Sequence, residues 1–125
     1  MIHLDTSFLV LALTRGSAAD RALRGWLLRG ERVCISAIGW AEFLCGPVSE
    51  EVAALASEMV GEPASFATAE AALTARLFNA GGRRRGSLAD CMIAASAIRA
   101  GASLATANPR DFVRFEEVGL TLQRQ

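Results

Sequence analysis

The chain begins Met1-Ile2-His3-Leu4-Asp5-Thr6-Ser7, an apolar run that stops abruptly at an aspartate. The run is typical of a short buried strand, and Thr6 or Ser7 can start the helix that follows it. Aspartate is almost never fully buried unless it is paired or coordinates a cation. Asp5 is therefore either the N-cap of the next helix, a position that favours Asp, or part of a polar site at the end of the strand.

Short apolar runs alternate with longer amphipathic segments along the rest of the chain. We predict strands at residues 1–4, 32–35, 64–67, 103–106 and 120–122. We predict helices at residues 6–13, 17–29, 36–45, 49–60, 68–80 and 87–100, several of which start at a serine. Strands that alternate with helices require crossover connections. We therefore expect an α/β fold, a three-layer α/β/α sandwich around a mainly parallel sheet of four to five short strands.

The bulk composition indicates one globular domain over residues 1–125. A chain of 125 residues can build a single core but is short for two domains. With 52% hydrophobic and 21% charged residues, it has a folded rather than a disordered composition. The formal net charge of zero argues against a strongly basic surface.

The cysteines and the N-terminal residues predict a cytoplasmic protein without membrane contact. The cysteines, Cys34, Cys45 and Cys91, are odd in number, widely spaced and set among apolar residues, so we interpret them as reduced core residues. No apolar stretch approaches the roughly 20 residues of a membrane span. The first residues also lack the basic region of a signal peptide.

Two further carboxylates interrupt predicted core helices. Glu42 lies among apolar residues within 36–45, and Asp90 opens the apolar segment 88–100. Carboxylates packed together repel each other, and a divalent cation relieves that repulsion. We therefore predict that Asp5, Glu42 and Asp90 share one acidic pocket for a hard cation. The alternatives are an exposed edge for Glu42 and, for Asp90, a capping box with Ser87.

A polar loop follows the predicted strand at 103–106. Asn108 and Asp111 lie in this loop, where each serves either turn chemistry or ligation. In parallel sheets, ligands bind beyond the carboxyl ends of the strands. Both Asp5 and this loop fall at such ends.

Three consecutive arginines, Arg83, Arg84 and Arg85, form a basic loop before Asp90. Such a run is either a solvated loop or an RNA phosphate-binding element beside the metal. His3 is expected to pack within the first strand rather than act as a general base.

Four blocks in chain order resemble the signature blocks of PIN-domain ribonucleases, most closely the VapC-type toxins of bacterial type II toxin–antitoxin systems. The blocks lie at residues 2–7, 36–44, 88–95 and 104–112, and the resemblance extends from residue 1 to about residue 122. It implies an α/β/α sandwich and Mg²⁺- or Mn²⁺-dependent cleavage of RNA.

The resemblance also assigns roles to residues. Asp5, Glu42 and Asp90 match the three principal acidic positions, with Asp5 and Asp90 expected to contact the metal and Glu42 to act through water. The fourth position, often Asp, holds Asn108, which would join the catalytic set, while Asp111 lies three residues on. The hydroxyls that would hold the carboxylates in place are those of Ser7 and Thr106.

The same resemblance implies protein partners. A cognate antitoxin would cover a hydrophobic groove and block the acidic site, and members of the family often form homodimers or larger toxin–antitoxin assemblies. Apolar side chains of the first helices would line the groove or pack in the core: Phe8, Leu11, Leu23, Trp26 and Leu27.

Two other functional classes fit parts of the sequence. One is a catalytically inactive PIN-like module that binds RNA or acts as a scaffold, and the intact acidic residues weigh against it. The other is a phosphate-handling enzyme with an aspartyl nucleophile at Asp5. That class commonly needs a second Asp two residues on, where this chain has Ser7.

Overall fold

The fold is organised around a four-stranded parallel sheet. The computed structural model describes residues 1–124. Its strands are β1 (Ile2–Leu4), β2 (Val33–Ile35), β3 (Ser103–Ala105) and β4 (Thr121–Leu122). Their spatial order is β2-β1-β3-β4, and all three pairings are parallel. The predicted parallel α/β sheet is confirmed.

Six α-helices and two 3₁₀ helices connect and follow these strands within residues 1–124. The α-helices are α1 (Thr6–Ala12), α2 (Ala18–Leu28), α3 (Ala37–Cys45), α4 (Glu50–Val60), α5 (Thr68–Ala80) and α6 (Leu88–Arg99). The 3₁₀ helices are Pro109–Asp111 and Val113–Val118. Serine hydroxyls accept main-chain N–H groups at three helix starts, as the sequence predicted: Ser17 at α2, Ser36 at α3 and Ser49 at α4.

The strand predicted at residues 64–67 is wrong. Ala64 forms only an isolated parallel bridge with Ser36, just beyond the end of β2. Because Ser36 already caps α3, no extended partner is available for the residues after Ala64. The segment therefore stops after a single bridge.

The capping box with Ser87, the alternative interpretation of Asp90, does not form at the start of α6. The Ser87 hydroxyl donates to the carbonyl of Arg84 at 2.7 Å, and Ser87 makes no side-chain cap. Its backbone has helical angles (φ −94°, ψ 0°) rather than the extended angles of an N-cap. Asp90 is therefore not used to cap α6.

Helices cover both faces of the sheet and enclose two separate cores. One core contains Ile2, Leu4 and Ile35 from the sheet, packed against α1, α2 and α4. The other contains Leu104 and Leu122, packed against α5, α6 and the second 3₁₀ helix. These layers confirm the predicted α/β/α sandwich. Within residues 1–124, none of the helices combines the length and apolar character that crossing a membrane requires.

His3 lies on the sheet face opposite the one that Ile2 and Leu4 occupy, because successive side chains of a strand alternate between the two faces. It is 1% exposed, and neither ring nitrogen has a hydrogen-bond partner among residues 1–124. Burial, reinforced by the charge of the N-terminus, lowers the pKa of its imidazole. The expectation that His3 packs within the first strand is met.

We predict that His3→Leu stabilises the protein by about 1–3 kcal/mol, because it removes a buried polar group that lacks partners. The folded state disfavours protonated His3, so this residue's contribution to stability falls as the pH drops below about 6.5. The advantage of the variant should therefore grow in acid. Chemical denaturation of both proteins at pH 5 and 8 measures the difference, in which contributions from the acidic residues cancel. The prediction would be contradicted if the parent and His3→Leu had the same free energy of unfolding at both pH values.

Candidate acidic site

The candidate site lies where β1 and β3 end side by side. Since β1 is the central strand between β2 and β3, the connections on its two sides diverge there, which opens a crevice at the carboxyl edge of the sheet. Asp5 follows β1 directly, and its N–H donates to the carbonyl of Ala105 at 3.0 Å. Thr106 follows β3 at the same edge.

Asp5 is held by three donors. Its Oδ1 accepts from the Ser7 hydroxyl and from the Phe8 N–H, each at 2.8 Å, and its Oδ2 accepts from the Thr106 hydroxyl. The bond to Phe8 makes Asp5 the N-cap of α1, so the two sequence interpretations of this residue hold together. Asp5 is only 4% exposed. Burial raises the pKa of its carboxyl, the three donors oppose that rise, and the charge of Glu42 adds to it.

The hydroxyls of Ser7 and Thr106 also organise the loop after β3. The N–H of Ala107 donates to Ser7 Oγ at 3.2 Å, and the N–H of Asn108 donates to Thr106 Oγ1 at 3.0 Å. Each hydroxyl thus accepts from the loop and donates to Asp5. The two hydroxyls tie the end of β1 to the end of β3.

Glu42 reaches the same edge from α3. Thr6 Oγ1 lies 2.9 Å from Glu42 Oε1 and 3.0 Å from the carbonyl of Gly39, and its single hydrogen is available to both acceptors. The Glu42 residue is exposed, as the alternative interpretation expected, yet its side chain lines the pocket that contains Asp5. Exposure and membership of the site are compatible.

Asp90 lies in the first turn of α6 and is the most perturbed carboxyl of the group. Its pKa is raised to about 6, chiefly by burial and then by the charges of Asp111, Glu42 and Asp5. The guanidinium of Arg114 acts in the opposite direction. The cost of ionising Asp90 therefore depends on acids from three other parts of the chain.

One pocket of about 290 Å³ contains these groups. Its lining is Asp5, Thr6, Ser7, Glu42, Asp90, Ile93, Asn108, Asp111 and Phe112. Within residues 1–124, no three carboxylate, imidazole or thiol groups are close enough together to form a ready-made metal cluster. The acids surround an open space large enough for several water molecules.

Residues 2–118 match the family model of the PIN domain. The chain belongs to the PIN domain family. The resemblance of the sequence blocks is thereby confirmed at the level of the family. No curated protein matches the sequence of this chain.

Solved structures share this PIN fold over nearly their whole length. VapBC2 of Rickettsia felis, bound to a DNA fragment from its promoter, matches with a TM-score of 0.77 and 23% identity, covering 100% of this chain and 99% of that chain. DNA-bound VapBC of Salmonella typhimurium matches with a TM-score of 0.75 and 24% identity, covering 98% and 96%. FitAcB of Neisseria gonorrhoeae matches with a TM-score of 0.73 and 21% identity, covering 99% and 97%. At these identities the similarity shows the fold.

The donor chemistry of the pocket fits a hard divalent cation. Its polar lining supplies carboxylate, amide and hydroxyl oxygens, and it includes no histidine or cysteine. Mg²⁺ prefers oxygen ligands and usually keeps several waters while one or two carboxylates bind it. An open acidic pocket meets this requirement better than a closed protein cage would.

The arginines at 83–85 do not line this pocket. All three are exposed. Arg83 donates to Asn79 Oδ1 at 2.8 Å and lies 5.7 Å from the centre of the Phe78 ring, at the end of α5. Any contact of these arginines with RNA would therefore lie outside the acidic pocket.

The sequence interpretation missed Thr6, which lines the pocket, and Arg114, which contacts the lining residue Asp111. Thr6 orients Glu42, and its signal was a hydroxyl directly after Asp5, which was credited only with starting α1. Arg114 acts on Asp90 from the second 3₁₀ helix. No helix was predicted there, and a lone arginine among mixed charges gave no usable signal.

Proposed function

We propose that this PIN domain is a metal-dependent endoribonuclease toxin that cleaves cellular RNA and is inhibited by a cognate antitoxin. The observation that carries the proposal is the convergence of Asp5, Glu42, Asp90 and Asp111 on one pocket. The charge of Glu42 raises the pKa of Asp5, and the charges of Asp111, Glu42 and Asp5 raise the pKa of Asp90; such perturbed groups concentrate at functional sites. The cost of keeping these charges together is understandable if the pocket serves a cation.

The cation would be Mg²⁺ or Mn²⁺. Asp5 and Asp90 would hold it directly, and Glu42 would hold it through a water molecule. When bound, such an ion polarises a phosphodiester and lowers the pKa of an attacking water.

The chain's own residues would then position the reacting groups. The three donors around Asp5 fix the direction of its carboxylate, which an ion-binding group requires. Thr6 holds one oxygen of Glu42 and leaves the other available to orient a water or accept its proton. Attack by water on the phosphodiester gives a 5′-phosphate and a 3′-hydroxyl.

For the fourth acidic position we propose Asp111, with Asn108 as a neighbour that supports it. Both line the pocket, but Asp111 carries the charge that most affects Asp90. Asn108 contributes its main-chain N–H to Thr106 and thereby supports the hydroxyl that holds Asp5. Asn108 also lines the pocket, where its amide would be available to orient a water.

Metal removal tests the proposed activity. The purified chain should cut single-stranded RNA in Mg²⁺ or Mn²⁺, should lose the activity completely in EDTA, and should recover it when the metal is restored. Labelled RNA resolved on a denaturing gel shows the cleavage, and ligation of the products identifies the 5′-phosphate. Cleavage that persists in EDTA would exclude the proposed chemistry.

A groove between α2 and α4 is the proposed antitoxin site. It has a volume of about 490 Å³, and its lining combines apolar residues, Ala12, Leu13, Leu23, Leu27, Leu55 and Met59, with the charged residues Arg15, Asp20 and Arg24. The groove accounts for only part of the set expected from the sequence. Phe8 and Trp26 stack in the core, Leu11 is exposed outside the groove, and Leu23 and Leu27 line it.

The toxin–antitoxin part of the proposal rests on the structural neighbours of this chain. The VapBC and FitAcB neighbours support a complex with a second protein and, for the DNA-bound ones, a larger assembly. We propose that this chain likewise forms a homodimer within such an assembly. Chromatography coupled to light scattering, with and without the antitoxin, measures both masses.

The arginine loop offers a separate test of RNA binding. Replacing Arg83, Arg84 and Arg85 together with glutamine should weaken RNA binding and flatten its dependence on salt, since each lost phosphate contact lowers the slope by roughly 0.7 for a single strand. RNA titrations at several salt concentrations in EDTA measure the slope. A slope equal to that of the parent would show that the loop is ordinary solvated surface.

A further inference from the structure

The acidic pocket has an electrostatic problem when its substrate is RNA. Four carboxylates line it, and a divalent cation offsets only two of their charges. A phosphodiester would therefore approach a surface that is still negative, and fixed cations are the usual means of attracting it. Neither the exposed arginines at 83–85 nor Arg114 lines the pocket, but Arg114 contacts Asp111, which does.

Arg114 is the cation whose charge acts on Asp90. Arg114 Nη1 donates to the main-chain carbonyl of Asp111, so the guanidinium lies at the Asp111 side of the pocket.

The Arg114 side chain is fixed by its surroundings. Its guanidinium carbon lies 4.2 Å from the centre of the buried Phe115 ring, and its Nη1 donates to the carbonyl of Asp111. Gly81 at the end of α5 leaves room for it, because a Cβ there would stand 3.2 Å from Arg114 Nε. A guanidinium held in this way loses little freedom when it binds a further group.

The guanidinium still has donors to offer. Arg114 is half-buried, and within residues 1–124 no carboxylate lies within ion-pair distance of it. Arg114 affects the pKa of Asp90, and its guanidinium contacts the main-chain carbonyl of Asp111. Within the described residues it forms no ion pair with either carboxylate. A planar fork with unused N–H groups beside an acidic pocket matches the geometry of a phosphate.

We propose that Arg114 binds a phosphate of the RNA backbone at the Asp90–Asp111 side of the pocket. This inference rests on the proposed ribonuclease function and adds the group that holds the anionic substrate. The ligand is a phosphodiester of single-stranded RNA. Loss of the Arg114 guanidinium should raise KM more than it lowers kcat, because Arg114 contacts the bound substrate as well as the transition state.

Arg114→Gln tests the inference, with Arg110→Gln as the matched control. Arg110 is exposed in the neighbouring 3₁₀ helix, so the control removes the same charge from the same segment. Arg114→Gln should raise KM for RNA by about 10- to 100-fold, the effect of losing a charged hydrogen bond. It should also lower the slope of log affinity against log salt by roughly 0.7, measured with metal chelated so that no RNA is cut. Arg110→Gln should change neither quantity.

Arg114→Lys separates a structural role from a phosphate contact. It keeps the charge but loses the fork and its planar stacking on Phe115, so the salt slope should stay parental while KM rises by less than in Arg114→Gln. If thermal unfolding shows that Arg114→Gln is not folded, Arg114→Lys decides the test. A salt slope below the parental value in Arg114→Lys then overturns the inference. Equal KM and slope for Arg114→Gln and the parent would overturn it as well. If the parent itself cuts no RNA, the ribonuclease proposal fails, and the salt slopes still decide the phosphate contact.

Discussion

Asp90→Asn should abolish metal-dependent RNA cleavage and, in the same protein, raise the melting temperature of the metal-free chain. The first effect follows because Asp90 is one of two carboxylates proposed to hold the ion, and we expect a loss of roughly 10²- to 10³-fold or more. The second follows because ionised Asp90 is disfavoured by burial and by three neighbouring acids, which raise its pKa to about 6. An amide of the same shape avoids that cost.

The stabilisation should depend on pH in a defined direction. A carboxyl whose pKa is about 6 in the folded protein and 3.8 otherwise destabilises the fold above pH 6, and the penalty disappears as the pH falls towards 4. After allowance for solvent screening, we expect about 1–2 kcal/mol at pH 7.5, or roughly 3–8 °C in melting temperature. Near pH 4 the parent and the variant should melt together.

Thermal unfolding in EDTA at pH 4 and 7.5, alongside RNA cleavage in Mn²⁺, measures both effects. Glu117→Gln is the matched control, since Glu117 is an exposed acid outside the pocket and its loss should change neither property. Asp5→Asn should also be inactive, because Asn can cap α1 but cannot supply the charge. Parental cleavage by either variant would remove that residue from the site.

If the proposed function holds, Leu27→Asp should weaken binding of the proposed antitoxin without altering RNA cleavage. Leu27 is 40% exposed and lines the groove between α2 and α4, away from the acidic pocket. A charge placed on the apolar floor of an interface removes buried contact area and adds a desolvation cost, so we expect affinity to fall at least about 30-fold. Cleavage by the free variant should equal that of the parent.

Leu28→Asp is the control that the chain itself provides. Leu28 is the next residue along α2 and is 88% exposed, but it does not line the groove. Calorimetry with the proposed antitoxin, sought among the proteins encoded beside this chain, measures both affinities. In cells, Leu27→Asp should arrest growth even when that protein is co-expressed, whereas the parent and Leu28→Asp should be neutralised. Equal affinities for all three would place the antitoxin elsewhere.

Local signals predicted most of the secondary structure correctly. Ser17, Ser36 and Ser49 cap helices in the structure because N-capping needs only a hydroxyl and a main-chain N–H three residues on. At Ser87 the same signal failed, since the hydroxyl was taken by the Arg84 carbonyl in the preceding loop. A capping motif does not reveal which of two nearby partners the folded chain will choose.

The convergence of the acids was predictable, and the family resemblance also named the hydroxyls of Ser7 and Thr106 that donate to Asp5, but the contact between Thr6 and Glu42 was not predictable. Parallel strands bring their carboxyl ends to one edge, so Asp5 and the loop after β3 had to be neighbours. The contact of Thr6 with Glu42 spans 36 residues, and it depends on how α1 and α3 pack. Phe8 and Trp26 show a second limit of sequence-based prediction. An apolar stripe on a helix fits a groove and a core equally well, and in the structure these two rings stack on each other in the core.

The double duty of Asp5 affects how an inert copy of this protein should be made. The same carboxylate starts α1 and faces the acidic pocket, so shortening it to alanine would disturb folding and chemistry together. Asp90 has no such second role, because α6 starts without a side-chain cap. A harmless form for crystallisation, for trapping the inhibitor or for overproduction in growing cells is therefore better built at position 90 than at position 5.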